Sequence, residues 1–254
     1  RVTLLPPQYV RPYVRRNKTD AADCAAILEA MRASDIKSVP VKTEHQQVIQ
    51  LMHRARQQWQ HDRTARINLA RGMLREFGVI VPEGAERGQT VMRAQLANEA
   101  LNAQVRRLLQ EALTEMEELE QRIVELDRRL AELSETDPIL VHLKSLPGIG
   151  WITATAIRAS VGDIQRFKSG RSLSSWWGFT PKESSSGSTR KLGRMSKQGD
   201  VYVRTLLIQG ARSVLAASIK AQSLGKQLDG LRRWSVALRE RRGFNKAAVG
   251  LANK

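Results

Sequence analysis

Between residues 105 and 133, nine apolar side chains recur at alternating spacings of four and three: Val105, Leu109, Ala112, Met116, Leu119, Ile123, Leu126, Leu130 and Leu133. Such a run puts every member on one stripe of a helix, whereas a strand would scatter them over two faces. The spacing predicts a helix over 98–135 carrying a heptad seam, and a seam of this kind has to be covered by another helix as a coiled coil. Two partners are open. One is the polar segment 44–76, whose Val48, Leu51, Ala55, Trp59, Leu69, Met73 and Leu74 form a looser stripe; the other is a second copy of the chain. Asp137-Pro138 ends the long helix, and Gly78, Pro82, Gly84 and Gly88 read as the loop between the two helices. The seam describes architecture and says nothing of chemistry.

Charge narrows the partner. The 254 residues carry a formal net charge of +17, and it is not spread evenly. Residues 1–138 hold 21 Lys and Arg against 20 Asp and Glu; residues 139–254 hold 21 against 5. A block this basic repels itself unless it meets a polyanion, and nucleic acid is the expected one, because neutralising phosphates releases condensed counterions. An anionic membrane surface fits less well, since no strongly amphipathic basic helix with aromatic anchors is present. No apolar run reaches the roughly 18–20 residues of a membrane span. The chain opens on Arg rather than Met, without a charged-then-apolar leader, and closes on a helical pattern, so it reads as part of a longer one. The single cysteine, Cys24, excludes a disulfide framework and a multi-cysteine zinc site and suits a reducing cytoplasm. His45, His53 and His61 recur every eight residues and read as a solvated polar stripe rather than metal ligands.

Three segments could carry chemistry. Leu146-Pro147-Gly148-Ile149-Gly150 precedes a helical run, Trp151 to Ser160. Glycines before a helix let backbone N–H groups approach a phosphate, as in a helix-hairpin-helix element that grips the DNA backbone without reading sequence; a plain helix-connecting turn looks the same. The stretch 178–200, read as a long glycine-punctuated loop, mixes Ser184, Ser185, Ser186, Ser188 and Thr189 with Lys182, Arg190, Lys191, Arg194 and Lys197. A hydroxyl beside several cations can attack a phosphodiester, since the cations stabilise the charge of the transition state; a flexible linker with phosphate-binding side chains is the alternative. Finally, Thr19 sits as an N-cap for a helix from Asp20 to Arg32, with basic residues Arg11, Arg15, Arg16 and Lys18 before it. Asp20 and Asp23 share a face, so they can hold a divalent metal together with further carboxylates, or simply suit the helix dipole.

Taken in order, these segments resemble the DEDD transposases of the one-ten family of insertion sequences. The motifs that carry the resemblance are Asn17-Lys-Thr-Asp-Ala-Ala-Asp23, Leu146-Pro-Gly-Ile-Gly150, Phe167-Lys-Ser-Gly-Arg171, Trp177-Gly-Phe-Thr-Pro181, Ser185-Ser-Gly187 and Gly193-Arg-Met-Ser-Lys-Gln-Gly199. The resemblance implies a mostly α chain in three parts. Residues 1–43 would be the C-terminal remnant of a RuvC-like, ribonuclease-H-type α/β domain, 44–137 a helical coiled-coil region, and 138–254 a transposase domain with the helix-hairpin-helix-like turn and the catalytic serine loop. It assigns Ser186 as the nucleophile, with Asp20 and Asp23 as the last two members of an acidic quartet that binds Mg²⁺. Gly148, Gly150, Lys182, Arg190, Lys191, Arg194 and Lys197 are assigned to nucleic-acid contacts. It further implies DNA and a guide (bridge) RNA as partners, homo-oligomers with a site composed across protomers, and a cytoplasmic, nucleoid-associated protein. The first Asp and the Glu of the quartet are expected upstream of Arg1, so this chain by itself is expected to be inactive. Two rivals stand beside this reading: a junction-resolving nuclease whose carboxylates activate water, and a DNA-binding relic without activity.

Overall fold

The computed structural model describes residues 2–14 and 19–254; Arg15, Arg16 and Lys18 of the expected basic arm lie outside that set. The N-terminal stretch is small. A short helix α1 (Pro7–Val10) and a 3-10 turn lead to α2 (Asp20–Arg32), whose first turn is capped as the sequence demands: Thr19 Oγ1 accepts from the Ala22 N–H at 3.2 Å. Residues 2–5 contribute one bridge, in which the Val39 N–H donates to the Leu4 carbonyl at 2.7 Å. Only Ala26 and Ala30 of α2 are buried. Ile27, Leu28 and Met31 face outward.

Two long helices dominate the middle of the chain. Thr43 and Gln46 form a reciprocal capping box that starts α3 (Glu44–Glu76). After α4 (Ala85–Gln95) comes α5 (Ala103–Thr136), capped by Asn102. Arg56 pairs with Asp127, Arg63 with Glu120 and Arg66 with Glu115. One partner's number rises as the other's falls, so α3 and α5 run antiparallel. Ile67, Ala70 and Leu74 of α3 pack with Leu109, Ala112, Leu113 and Met116 of α5, and Met92 of α4 closes that end; at the other end Ile49 meets Leu130. Of the two partners left open for the heptad seam, α3 of the same chain covers it. Gly88, expected in a loop, lies inside α4, buried against Arg71 and Val81.

The remainder is helical with one small sheet. Asp137 caps α6 (Pro138–Lys144), and the Leu146–Gly150 turn leads into α7 (Trp151–Ser160), which is almost wholly buried. A second 3-10 turn and α8 (Gly170–Trp176) precede an antiparallel hairpin of β1 (Pro181–Glu183) and β2 (Leu192–Met195), where a loop had been expected. Then come α9 (Val201–Ser223), α10 (Gly230–Arg242) and α11 (Phe244–Ala252). Ala156, Ile157, Val161, Trp177, Phe179 and Val203 form one core, and Ala211, Leu215, Val236, Ala247, Ala248 and Leu251 another. The buried Gln46 amide joins this region to α3 by donating to the carbonyls of Val161 (3.2 Å) and Gly162 (3.3 Å), which close the end of α7. No helix of the described residues is long and apolar enough to cross a membrane.

Candidate functional site

The cation-rich segment is built by its hairpin. Ser186 and Thr189 exchange backbone hydrogen bonds (3.2 and 3.1 Å) around a two-residue turn of Gly187 and Ser188, with Gly187 at φ +55°. One of three serines that look alike in sequence is thereby set apart from the other two. Ser185 Oγ donates to Glu183 Oε1 at 2.7 Å and accepts from the Lys191 N–H at 3.2 Å, so both its proton and a lone pair are engaged. Glu183 also takes Arg190 Nε at 3.2 Å. The bond from Ser185, and then the Arg190 charge, hold its carboxyl below the usual range, so it stays ionised. Ser186 and Ser188 are both exposed at the turn, and neither Oγ has a hydrogen-bond partner among the described residues. Lys182, Lys191 and Arg194 are exposed along the strands of the hairpin, and Lys197 is exposed at its foot.

Arg204 ties the foot of the hairpin together. Its guanidinium is buried with no carboxylate beside it among the described residues, and Nη1 donates to the carbonyls of Trp177 and Gln198, both at 2.8 Å. These two carbonyls belong to the chain entering and leaving the hairpin, so one side chain of α9 ties both ends together. Lys197, the only described non-glycine residue at positive φ (+57°), donates its N–H to the Gly178 carbonyl at 3.1 Å. A non-glycine residue in this region is held there by its surroundings, and such positions cluster at functional sites. Asp200 caps α9, accepting from the N–H groups of Tyr202 (2.9 Å) and Val203 (3.1 Å).

The Leu146–Gly150 turn divides its two glycines between different tasks. Gly148 (φ +85°) lies backbone to backbone on Gly210 of α9; a Cβ there would stand 2.9 Å from the Gly210 carbonyl oxygen. Its lack of a side chain serves packing. Gly150 has open space around it, and the start of α7 that it precedes has no side-chain cap. Asp20 is exposed and Asp23 half-buried on α2, whose contacts with other helices and strands, among the described residues, are with α1 and the 3-10 turn after it. The acidic pair and Ser186 thus sit on elements that do not touch each other within one chain.

Comparison with known proteins places this arrangement. A family model described as "Transposase IS116/IS110/IS902 family" matches residues 141–225, which include the turn, the hairpin and α9. An IS110-type DEDD transposase model matches residues 2–79. The chain is 40% identical over 256 residues to a Pseudomonas aeruginosa protein named "Probable family 20 transposase", covering all of this chain and 74% of that protein. The chain belongs to the IS116/IS110/IS902 family of transposases. It is also 39% identical to the transposase for insertion sequence element IS1111A of Coxiella burnetii (99% of this chain, 68% of that protein). With the transposase for insertion sequence element IS1328 of Yersinia enterocolitica it shares 33% identity (100% and 74%). Transposases bind DNA and cut and rejoin it, and the DEDD-type match points to dependence on a divalent metal.

In this transposase Asp20 and Asp23 fit such an ion only as members of a larger ligand set. Among the described residues no group of three or more His, Cys, Asp or Glu side chains gathers where a metal could bind. Two carboxylates leave most of a divalent cation's six or more oxygen positions unfilled.

One polar centre of the transposase escaped the sequence reading. His53, expected on a solvated stripe, is buried at 4% exposure, with Nδ1 3.0 Å from the Tyr202 hydroxyl and Nε2 3.0 Å from Thr155 Oγ1. Thr155 donates its own hydroxyl to the Trp151 carbonyl at 2.7 Å. Nε2 must therefore carry the imidazole proton, and Nδ1 accepts from Tyr202. His53 so joins α3 to α7 and to the first turn of α9, just past the hairpin. Its eightfold spacing from His45 and His61, both exposed, held no hint of this.

Burial, reinforced by the Arg56 charge and opposed by Asp127 and Asp200, lowers the His53 pKa to about 4. Between pH 6.5 and 4 the unfolded chain then binds a proton that the folded chain refuses, so this group's contribution to stability falls as pH drops through that window, by roughly 3 kcal/mol at most. Urea titrations at pH 7, 6, 5 and 4 should show wild type losing stability more steeply than His53→Gln. Parallel curves would show that His53 titrates normally.

Proposed function

We propose that this chain carries the strand-joining serine of an insertion-sequence transposase and that Ser186 is the nucleophile. What supports this reading is the hairpin: Ser186 stands exposed and unengaged at its turn, Ser185 is locked to Glu183 and the Lys191 N–H, and Lys182, Lys191 and Arg194 are exposed on the same hairpin, with Lys197 at its foot. In the step proposed, Ser186 Oγ bonds to a DNA phosphorus and the bond from that phosphorus to a sugar oxygen breaks. The serine proton passes to a base and the departing sugar oxygen gains one. The cations of the hairpin offset the charge that builds on the phosphoryl oxygens. Rejoining reverses the step with a different sugar oxygen.

Asp20 and Asp23 would supply two ligands to Mg²⁺, which when bound stabilises phosphoryl charge. The rest of that shell would come from the other carboxylates of the acidic quartet, and the meeting of the acidic pair with Ser186 from assembly, since α2 and the hairpin are apart within one chain. A composite site between protomers follows, with the α3–α5 pair as a coiled-coil spacer and residues 2–43 as part of a RuvC-like domain. The same reasoning makes an isolated chain inactive in strand exchange. Guidance by a bridge RNA would account for a basic surface with little equipment to read base edges. Gly150, Lys182, Arg190, Lys191, Arg194 and Lys197 would hold phosphates, while Gly148 serves by seating the turn.

A nicked DNA substrate that cannot religate should trap a covalent adduct with the complete transposase, and mass spectrometry should place the phosphodiester on Ser186. Cleavage with no adduct would overturn the proposal in favour of a nuclease whose carboxylates activate water.

A further inference from the structure

The α10–α11 corner carries a cluster of cations that the hairpin reading leaves unused. Arg239, Arg241 and Arg242 lie in the last turn of α10, Lys246 in the first turn of α11, and all four are exposed. Arg212 of α9 lies against the corner, donating to Asn245 Oδ1 at 3.1 Å and stacking over Phe244 at 5.5 Å. Among the described residues none of these five pairs with a carboxylate, although Glu240 is the neighbour of two of them in sequence.

Most arginines of the long helices, though not all, are placed differently. Along α3, α4 and α5, Arg56, Arg63, Arg66, Arg93, Arg128 and Arg129 each meet an Asp or Glu. Local effects do not account for the contrast. The dipole of α10 favours the arginines of its last turn by only about 0.3–1 kcal/mol each, and the dipole of α11 disfavours Lys246 at its start. Five like charges at one corner therefore repel, and a polyanion is what offsets them.

We infer that this corner is a second phosphate-binding surface of the transposase and that its occupant is the backbone of duplex DNA, held without regard to sequence. The inference rests on the reading of the chain as a DNA-binding transposase and goes beyond the hairpin. Duplex is favoured over single strands because the aromatics of the corner are already covered: Arg212 lies over Phe244 and Lys254 over Trp234, which leaves no open ring for a base to stack on. The amide at the corner, Asn245, has its oxygen engaged by Arg212, and a surface of arginines and a lysine makes the contact a positioning one. Position along α9 ties the two surfaces together. Arg204 anchors the hairpin and Arg212 meets the corner eight residues on, about 12 Å along the same helix.

The test is fluorescence anisotropy of the chain with duplex DNA of unrelated sequences between 50 and 300 mM salt. The triple variant Arg239→Ala, Arg241→Ala, Arg242→Ala should bind every duplex at least about tenfold more weakly at 150 mM salt. Its plot of log affinity against log salt should be shallower by about 2–3, near 0.9 per lost phosphate contact. Alanine is the best helix former, so α10 should persist, with circular dichroism as the check. The corresponding triple Lys variant should keep the wild-type slope. An unchanged slope in the Ala variant, with loss confined to a hairpin variant lacking Lys182, Lys191, Arg194 and Lys197, would overturn the inference and leave the hairpin reading standing. Equal loss in the Lys and Ala variants would overturn it by showing a packing role. Loss confined to single-stranded RNA would overturn duplex DNA as the occupant. A wild-type chain that binds no duplex at all would remove the DNA-binding reading and this inference together.

Discussion

Ser186→Ala in the complete transposase is expected to lower strand cleavage by roughly 10⁴–10⁶-fold, the scale on which serine enzymes fail without their nucleophile, while duplex affinity stays within about twofold. The separation of the two effects follows from geometry. Ser186 Oγ makes no hydrogen bond in the described structure, so deleting it disturbs nothing that holds the hairpin or its cations in place. Ser185→Ala should behave differently. It removes the bond to Glu183 and leaves the Lys191 N–H to water, so it should loosen the turn and cut cleavage only in part. Ser188→Ala, at the solvent-facing tip, should be close to neutral. Cleavage assays on nicked and intact substrates, with binding measured in parallel, decide the matter. Near-normal cleavage by Ser186→Ala would sink the assignment, and full loss in Ser188→Ala would move it two residues along.

The second large effect concerns the fold beneath the serine. Gly199→Ala is expected to destabilise the chain by about 2–5 kcal/mol, the sum of left-handed backbone strain and overpacking. Gly199 sits at φ +79°, and a methyl group there would fall on the Trp176 carbonyl. Gly178 (φ +77°) faces the same difficulty against Gln198. The two strands of chain cross at the hairpin foot so closely that no side chain fits between them, and Arg204 closes the crossing. Relief would require moving the foot, and hence Ser186. For a chain of this size the melting temperature should fall by roughly 5–15 °C. Gly187→Ala is the control: φ is again positive, at +55°, but nothing lies within 4 Å, so only the backbone cost applies and the loss should stay near 1–2 kcal/mol. Equal melting temperatures for Gly199→Ala and wild type would refute the crossing as a constraint.

Much of the helical framework was legible because its causes are local. The cap residue Thr19, the unbroken apolar spacing of 105–133 and the stop at Asp137-Pro138 each act within a turn or two of chain; α2 begins at the expected Asp20, and α5 ends at Thr136 before the stop, although it starts at Ala103 rather than at 98. The hairpin was read as a loop because both its strands are exposed on both faces, so no alternation of apolar and polar residues marks them. Gly187-Ser188 between facing residues was the available signal, since glycine followed by serine suits a two-residue hairpin turn. Gly88 misled for the opposite reason. It breaks helices on average, yet here it lets α4 approach Arg71 and Pro82.

The residues by themselves determined the family, the basic half, the helical pair and the set of candidate hydroxyls, all of which depend on composition and short-range spacing. Tertiary structure alone decided three matters: that α3 rather than another copy covers the seam, that Ser185 is engaged while Ser186 is free, and that His53 and Arg204 tie distant elements to the hairpin. Each turns on which groups meet across scores of residues or across a turn. Such meetings are set by the packing of whole helices, which no local pattern encodes.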